Sequence, residues 1–191
     1  MARSAIALGC APVLPRHFRV MRRLSEYGLF RAGGVLIGTH AFLSYGNLLG
    51  LRWSETARTQ DGDLAHAGKS LSLALPSSLQ AVFCEEGSVA VSIPHPARYA
   101  LHKLLVFAER KGSFLQKAQK DLRQAAALLE YLKAMRGWEV EEAWADLLAR
   151  GRGWTTRAKQ GRDALARSAP ELAIKDWLRM PSGGPAKRRR S

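Results

Sequence analysis

A chain of 191 residues is long enough for one ordinary domain, or for a small domain with a helical companion. Hydrophobic side chains make up 47% and charged ones 24%, a globular balance that excludes disorder as the overall state. The formal charge is +14 with a pI near 10.6: residues 1–60 contribute +6, residues 61–130 only +1 and residues 131–191 +7, a balance that reads equally as a polyanionic partner, nucleic acid or nucleotide phosphate, or as a soluble protein from an arginine-rich genome.

The opening MARSAIALGCAPVLP is too short and too Pro-broken for a membrane span or signal peptide and reads as a loose lead-in. Over 16–30, Phe18, Met21, Leu24 and Leu29 recur near helical spacing between arginines. The pair Gly33-Gly34 breaks that pattern, and Val35-Leu36-Ile37 followed by Ala41-Phe42-Leu43 form a buried apolar segment. A glycine turn that leads into a helix exposes backbone N–H groups able to hold phosphate. Residues 52–65 are polar and extended, then Leu71, Leu73 and Leu75 alternate as one strand, and Val89, Val91 and Ile93 as another that ends at Pro94 and Pro96.

From Ala97 the period becomes helical. Leu101, Leu104, Leu105 and Ala108 line one helix, and Gly112 interrupts. Leu115, Ala118, Leu122, Ala125, Leu129 and Leu132 line a second, and a third runs from Trp138 to Ala149. Two shorter helices over 154–168 and 170–179 meet at Pro170, with Trp138, Trp144, Trp154 and Trp177 expected in the core. PSGGPAKRRRS at the end reads as a disordered basic tail. Two cysteines, Cys10 and Cys84, exclude a disulfide framework and a cysteine zinc site and suit a reducing cytoplasm. No apolar run reaches the ~20 residues of a membrane helix, so no membrane partner is expected. None of the five histidines pairs with another at metal-ligand spacing.

Asp61 and Asp63 stand two apart around Gly62. On extended backbone both carboxylates leave the same face, where they can share a divalent cation. Further on, Lys117, Lys120, Asp121 and Gln124 fall at i, i+3, i+4 and i+7, one helix face. That face reads equally as a polar site or as a solvated surface with a Lys117–Asp121 pair.

The segments GGVLIGTHAF, YGNLLGLRW and ARTQDGDLA, and later IPHPARYALHKLLV and QKAQKDLRQAAALLEYL, together resemble a bacterial nucleotidyltransferase-fold family within the DNA polymerase β-like superfamily, over about residues 16–172. The fold implied is α+β: a small mixed sheet with flanking helices over 16–95, then a helical domain over 96–180, between the 1–15 lead-in and the 181–191 tail. The resemblance makes Asp61 and Asp63 the catalytic, metal-binding acids for Mg2+, with Mn2+ as its substitute. It also places Gly33, Gly34, Thr39, Lys103, Lys120 and Asp121 around a nucleoside triphosphate. Active superfamily members carry a third carboxylate on a neighbouring strand. The only acids between Asp63 and Pro94 are Glu85 and Glu86, at a Gly-bearing turn, so the chain reads as shortened between the Asp pair and the downstream helices.

Two functional readings follow. One is transfer of a nucleoside monophosphate to an unknown acceptor, itself a nucleic acid or a protein, including a toxin-like variant working with an antitoxin. The other is a catalytically inactive member that binds nucleic acid or a partner protein.

Overall fold

The structure is a computed structural model that describes residues 13–53, 73, 77–110 and 115–181. The lead-in up to residue 12, the Asp61–Asp63 segment, Gly112 and the tail from 182 lie outside the described residues, as does most of the strand expected around Leu71–Leu75.

Helix α1 is Pro15–Glu26. Proline suits its first turn, where no intrahelical N–H is needed, and Phe18 and Met21, one turn apart, are its buried residues. The chain then reverses through Gly28 and Gly33, both at positive φ (79° and 92°). Leu36 N–H donates to Ser92 O at 2.7 Å, which ties the following extended segment to the sheet. Helix α2, Gly38–Leu49, ends at Gly50 in the left-handed region. Beyond it Trp53 folds back on α2, stacking on Phe42 at 4.5 Å and donating Nε1–H to Phe42 O at 3.0 Å. Gly46 makes room for that indole, because a Cβ there would lie 2.7 Å from Nε1.

Strands β1 (Ser78–Cys84) and β2 (Ser88–Pro94) form an antiparallel hairpin in register from Ser78↔Pro94 to Cys84↔Ser88. Val89, Val91 and Ile93 turn inward as their alternation predicts, opposite Ala81 and Phe83. The position of β1 differs from the sequence reading, which placed the first strand at Leu71–Leu75. Leu73 instead has helical geometry and is fully buried. Glu85 and Glu86 occupy the hairpin turn, where Glu85 N–H donates to Gly87 O.

Helix α3, Pro96–Glu109, is the centre of the molecule: Tyr99, Ala100, Leu101, Leu104 and Leu105 are all at 0% exposure. It packs against α4 (Leu115–Ala149) and α5 (Arg152–Ser168). Helix α4 is bent at Arg136, whose φ of −150° and ψ of 43° are not helical. That bend is the break expected between Leu132 and Trp138. A 3-10 turn at Pro170–Leu172 and the short helix α6, Ile174–Trp177, are the last described elements. They are tied down by Trp144 Nε1–H to Arg179 O and Arg162 Nη1–H to Leu178 O. One continuous cluster of buried side chains runs from Phe18 through Val91 and Leu101 to Leu172.

Trp144 is buried and Trp154 and Trp177 are half-buried, but Trp138 is 65% exposed. The expectation that it packs in the core is therefore corrected: the bend at Arg136 rotates the second half of α4 so that Val140, Ala143, Trp144 and Leu147 face inward instead. Among the described residues the architecture is α+β, with a two-stranded antiparallel sheet, flanking helices and a helical C-terminal part. No described helix is long and apolar enough to cross a membrane.

Candidate functional site

Asp121 lies in the second turn of α4 and is 1% exposed. Its two oxygens accept from different elements: Lys103 Nζ on α3 at 2.7 Å, and Arg110 Nε just past the end of α3, also at 2.7 Å. Lys103 is itself buried, and burial pulls its pKa down while the Asp121 charge holds it up. Lys120 and Gln124, on the same face of α4, are buried too. The solvated-surface alternative is thereby overturned: this face closes onto α3, and its carboxylate serves Lys103 and Arg110.

One turn before Lys103 on α3 stands Tyr99. Its hydroxyl donates to Gly38 O at 2.7 Å, and Lys103 Nζ lies 5.3 Å from its ring centroid. Burial pushes the Tyr99 phenol well above its usual range, with Tyr45 and Asp121 acting the same way, so it stays a protonated donor. Gly38 is the first residue of α2. Tyr99 thus joins the cationic cluster directly to the start of that helix.

His40, two residues on, meets His17 of α1, Nε2 to Nδ1 at 3.0 Å, with the rings edge to face. Its pKa is lowered to about 4 by burial, then by His17 and by Lys120. His40 is therefore neutral at pH 7 and close enough to Lys120 to feel its charge. Ile37, which caps α2, supplies no side-chain hydrogen bond, and Thr39 is buried in the first turn. Among the described residues, Tyr99 links the uncapped first turn of α2 to the Lys103–Asp121–Arg110 cluster, in which two cations share one carboxylate, and Lys120 lies close enough to act on His40. Such an arrangement favours an anion.

The predicted residues divide accordingly. Lys103 and Asp121 meet directly, Lys120 acts on His40, and Thr39 is buried between Gly38, which Tyr99 binds, and His40. Gly33 and Gly34 do not open the helix: Leu36 is paired to β2 before α2 starts at Gly38. Gly34 closes a tight turn instead, its N–H donating to Leu29 O at 2.9 Å, with a Cβ there only 2.6 Å from Leu29 Cγ. Asp61 and Asp63 are outside the described residues, and among the described residues no three His, Cys, Asp or Glu side chains cluster as a metal site. Sequence reasoning missed Gly38, Tyr99, Arg110 and the His17–His40 contact. Tyr99 and Lys103 carried a signal, being four apart on a predicted helix. His17 and His40, 23 residues apart, carried none.

A family model described as nucleotidyltransferase matches the chain in two segments, residues 16–85 and 73–149. The chain belongs to this nucleotidyltransferase family. No curated protein and no solved structure matches it. Within the nucleotidyltransferase match lie the Asp61–Asp63 pair, the start of α2 and the whole Lys103–Asp121–Arg110 cluster. Helix α5 and the C-terminal segment follow it.

Proposed function

We propose that this nucleotidyltransferase transfers a nucleoside monophosphate from a nucleoside triphosphate to an acceptor hydroxyl, and that the triphosphate sits at the start of α2. The observation that carries this reading is the pairing of two cations, Lys103 and Arg110, with the one buried carboxylate of Asp121, joined through Tyr99 to the uncapped first turn of that helix. Backbone N–H groups of Gly38, Thr39 and His40 are the natural donors to phosphate oxygens there. Lys103 and Lys120 neutralise their charge, while Asp121 and the Tyr99 ring hold Lys103 in one place.

In the reaction the acceptor oxygen, shedding its proton, bonds to the α-phosphorus as the α–β bridging P–O bond breaks and pyrophosphate leaves. Charge builds on the departing pyrophosphate, and fixed cations are worth most where water is excluded. Asp61 and Asp63 offer two hard carboxylate oxygens on adjacent alternate positions, a donor set that suits Mg2+ or Mn2+. Such an ion, when bound, supplies a further clamp on the phosphates and stabilises the charge of in-line displacement. The His17–His40 pair packs α1 against this first turn and keeps a neutral ring beside it.

The test is incubation with Mg2+ and α-32P-labelled nucleoside triphosphates in the presence of total RNA and protein. Label should appear on an acceptor with the wild type and vanish with Asp61→Asn, and Lys103→Met should cut transfer by at least tenfold. Wild-type protein that neither transfers label nor gains thermal stability from any nucleoside triphosphate would sink the proposal.

A further inference from the structure

The 16 residues from 147 to 162 contain five basic side chains and no acidic one. Part of that charge is spent internally. Arg157 donates to Glu109 at 2.9 Å, and Arg150 binds Asp146, which also holds Arg98. Arg150 and Arg157 lie over the Trp154 ring, 5.3 and 5.2 Å from its centroid. These contacts give an Arg–Trp–Arg layer in which each arginine side chain is still about a quarter exposed.

On the outer side of the same helix, Arg152, Thr156 and Lys159 fall at i, i+4 and i+7 and are all exposed. The opposite side, Ala158, Gly161 and Leu165, is buried. Arg152 and Lys159 bind no carboxylate among the described residues, so this stripe carries uncompensated charge. It also leads to the candidate site. Glu109, which holds Arg157, is followed directly by Arg110, which holds Asp121.

We infer that the outward stripe of α5, Arg152–Thr156–Lys159, together with the Arg150–Trp154–Arg157 layer, binds the phosphodiester backbone of a nucleic-acid acceptor and leads it toward the Lys103–Asp121 site. A phosphodiester chain fits this stripe better than an acidic protein does. It presents charge at regular intervals to a row of cations, with no carboxylate between them to set a protein register, while the Thr156 hydroxyl donates back to Arg152 O at 3.0 Å and leaves the contact to the cations. The acceptor role rests on the transferase reading above; the binding does not, and it is tested separately.

The test uses the full chain without nucleotide or metal, and the fluorescence anisotropy of labelled 20-nucleotide RNA, DNA and the corresponding duplexes. Arg152→Glu with Lys159→Glu should weaken binding of the preferred form by about tenfold or more. For a single strand it should also make the slope of log K against log salt shallower by about 1.4, two phosphate contacts' worth. Arg152→Gln with Lys159→Gln serves as a milder pair should the reversal disturb folding, and circular dichroism checks both. Asp61→Asn should bind like the wild type, so loss of label transfer and loss of binding are read apart. The inference fails if the double variants bind as tightly as the wild type, or if no nucleic acid binds at all. It also fails if replacing Lys187–Arg190 by alanine removes all binding, or if poly-glutamate competes as well as nucleic acid.

Discussion

Asp121 carries more of the site than its position in the second turn of a long helix announced. Its carboxylate is almost wholly buried and holds two cations from another element. Removing one partner from a buried pair typically costs about 3–5 kcal/mol, because a charge is left stranded. Asp121→Asn should therefore lower the free energy of urea unfolding by about 3 kcal/mol. Lys103→Met should cost clearly less, since Asp121 keeps Arg110; equal losses would contradict this assignment. His40 sets a pH dependence. Its folded pKa near 4 lies below the ordinary 6.5, so between those values the unfolded chain binds a proton that the folded one refuses. Stability from this group is complete above pH 6.5 and falls as pH drops toward 4. His17 and Lys120 are the neighbours that oppose the imidazolium. In His40→Gln the slope of unfolding free energy over that window should flatten, and an unchanged slope would refute the role of the pair.

Among the elements, the seam between α3 and α5 is the most demanding. A Cβ at Gly161 would lie 2.4 Å from Leu104 O, a backbone atom that cannot step aside. Gly161→Ala should push the two helices apart and destabilise by about 2–3 kcal/mol, in spite of alanine's helix preference. Gly153, in the first turn of the same helix, has nothing within 4 Å of that position. There Gly153→Ala should stabilise by up to about 1 kcal/mol. Denaturation midpoints of the two variants should thus move in opposite directions, and a shift of the same sign in both would show the packing to be misread. Helix identity at this scale was legible, since Leu122, Ala125, Leu129 and Leu132 lie one turn apart and are buried together. The face of α4 that carries Asp121 was not legible, because helical spacing shows which residues share a side but not what covers it.

For the whole molecule, the core is organised around α3, whose neighbours α4 and α5 lie outside the sheet-bearing half. Native-state hydrogen exchange should be slowest for the amides of Leu101 to Leu105 and faster through α1, whose outward face is a row of exposed arginines. Protection of α1 outlasting that of α3 would overturn this hierarchy.

Read alone, the residues determined the mixed α+β class, the β2 strand, the helical second half with its bend before Trp138, and the family through its ordered motifs. Each of these depends on local periodicity or short-range spacing, which the chain carries along its length. Only the folded chain decided that α2 begins at Gly38 and not at the glycine pair, because pairing of Leu36 to Ser92 joins residues 56 apart. The same holds for the joining of Asp121 to Lys103 and Arg110, for the meeting of His17 with His40, and for the exposure of Trp138. Charge and burial act through space, so a residue's partner is set by packing of whole elements and leaves no mark on its neighbours in sequence.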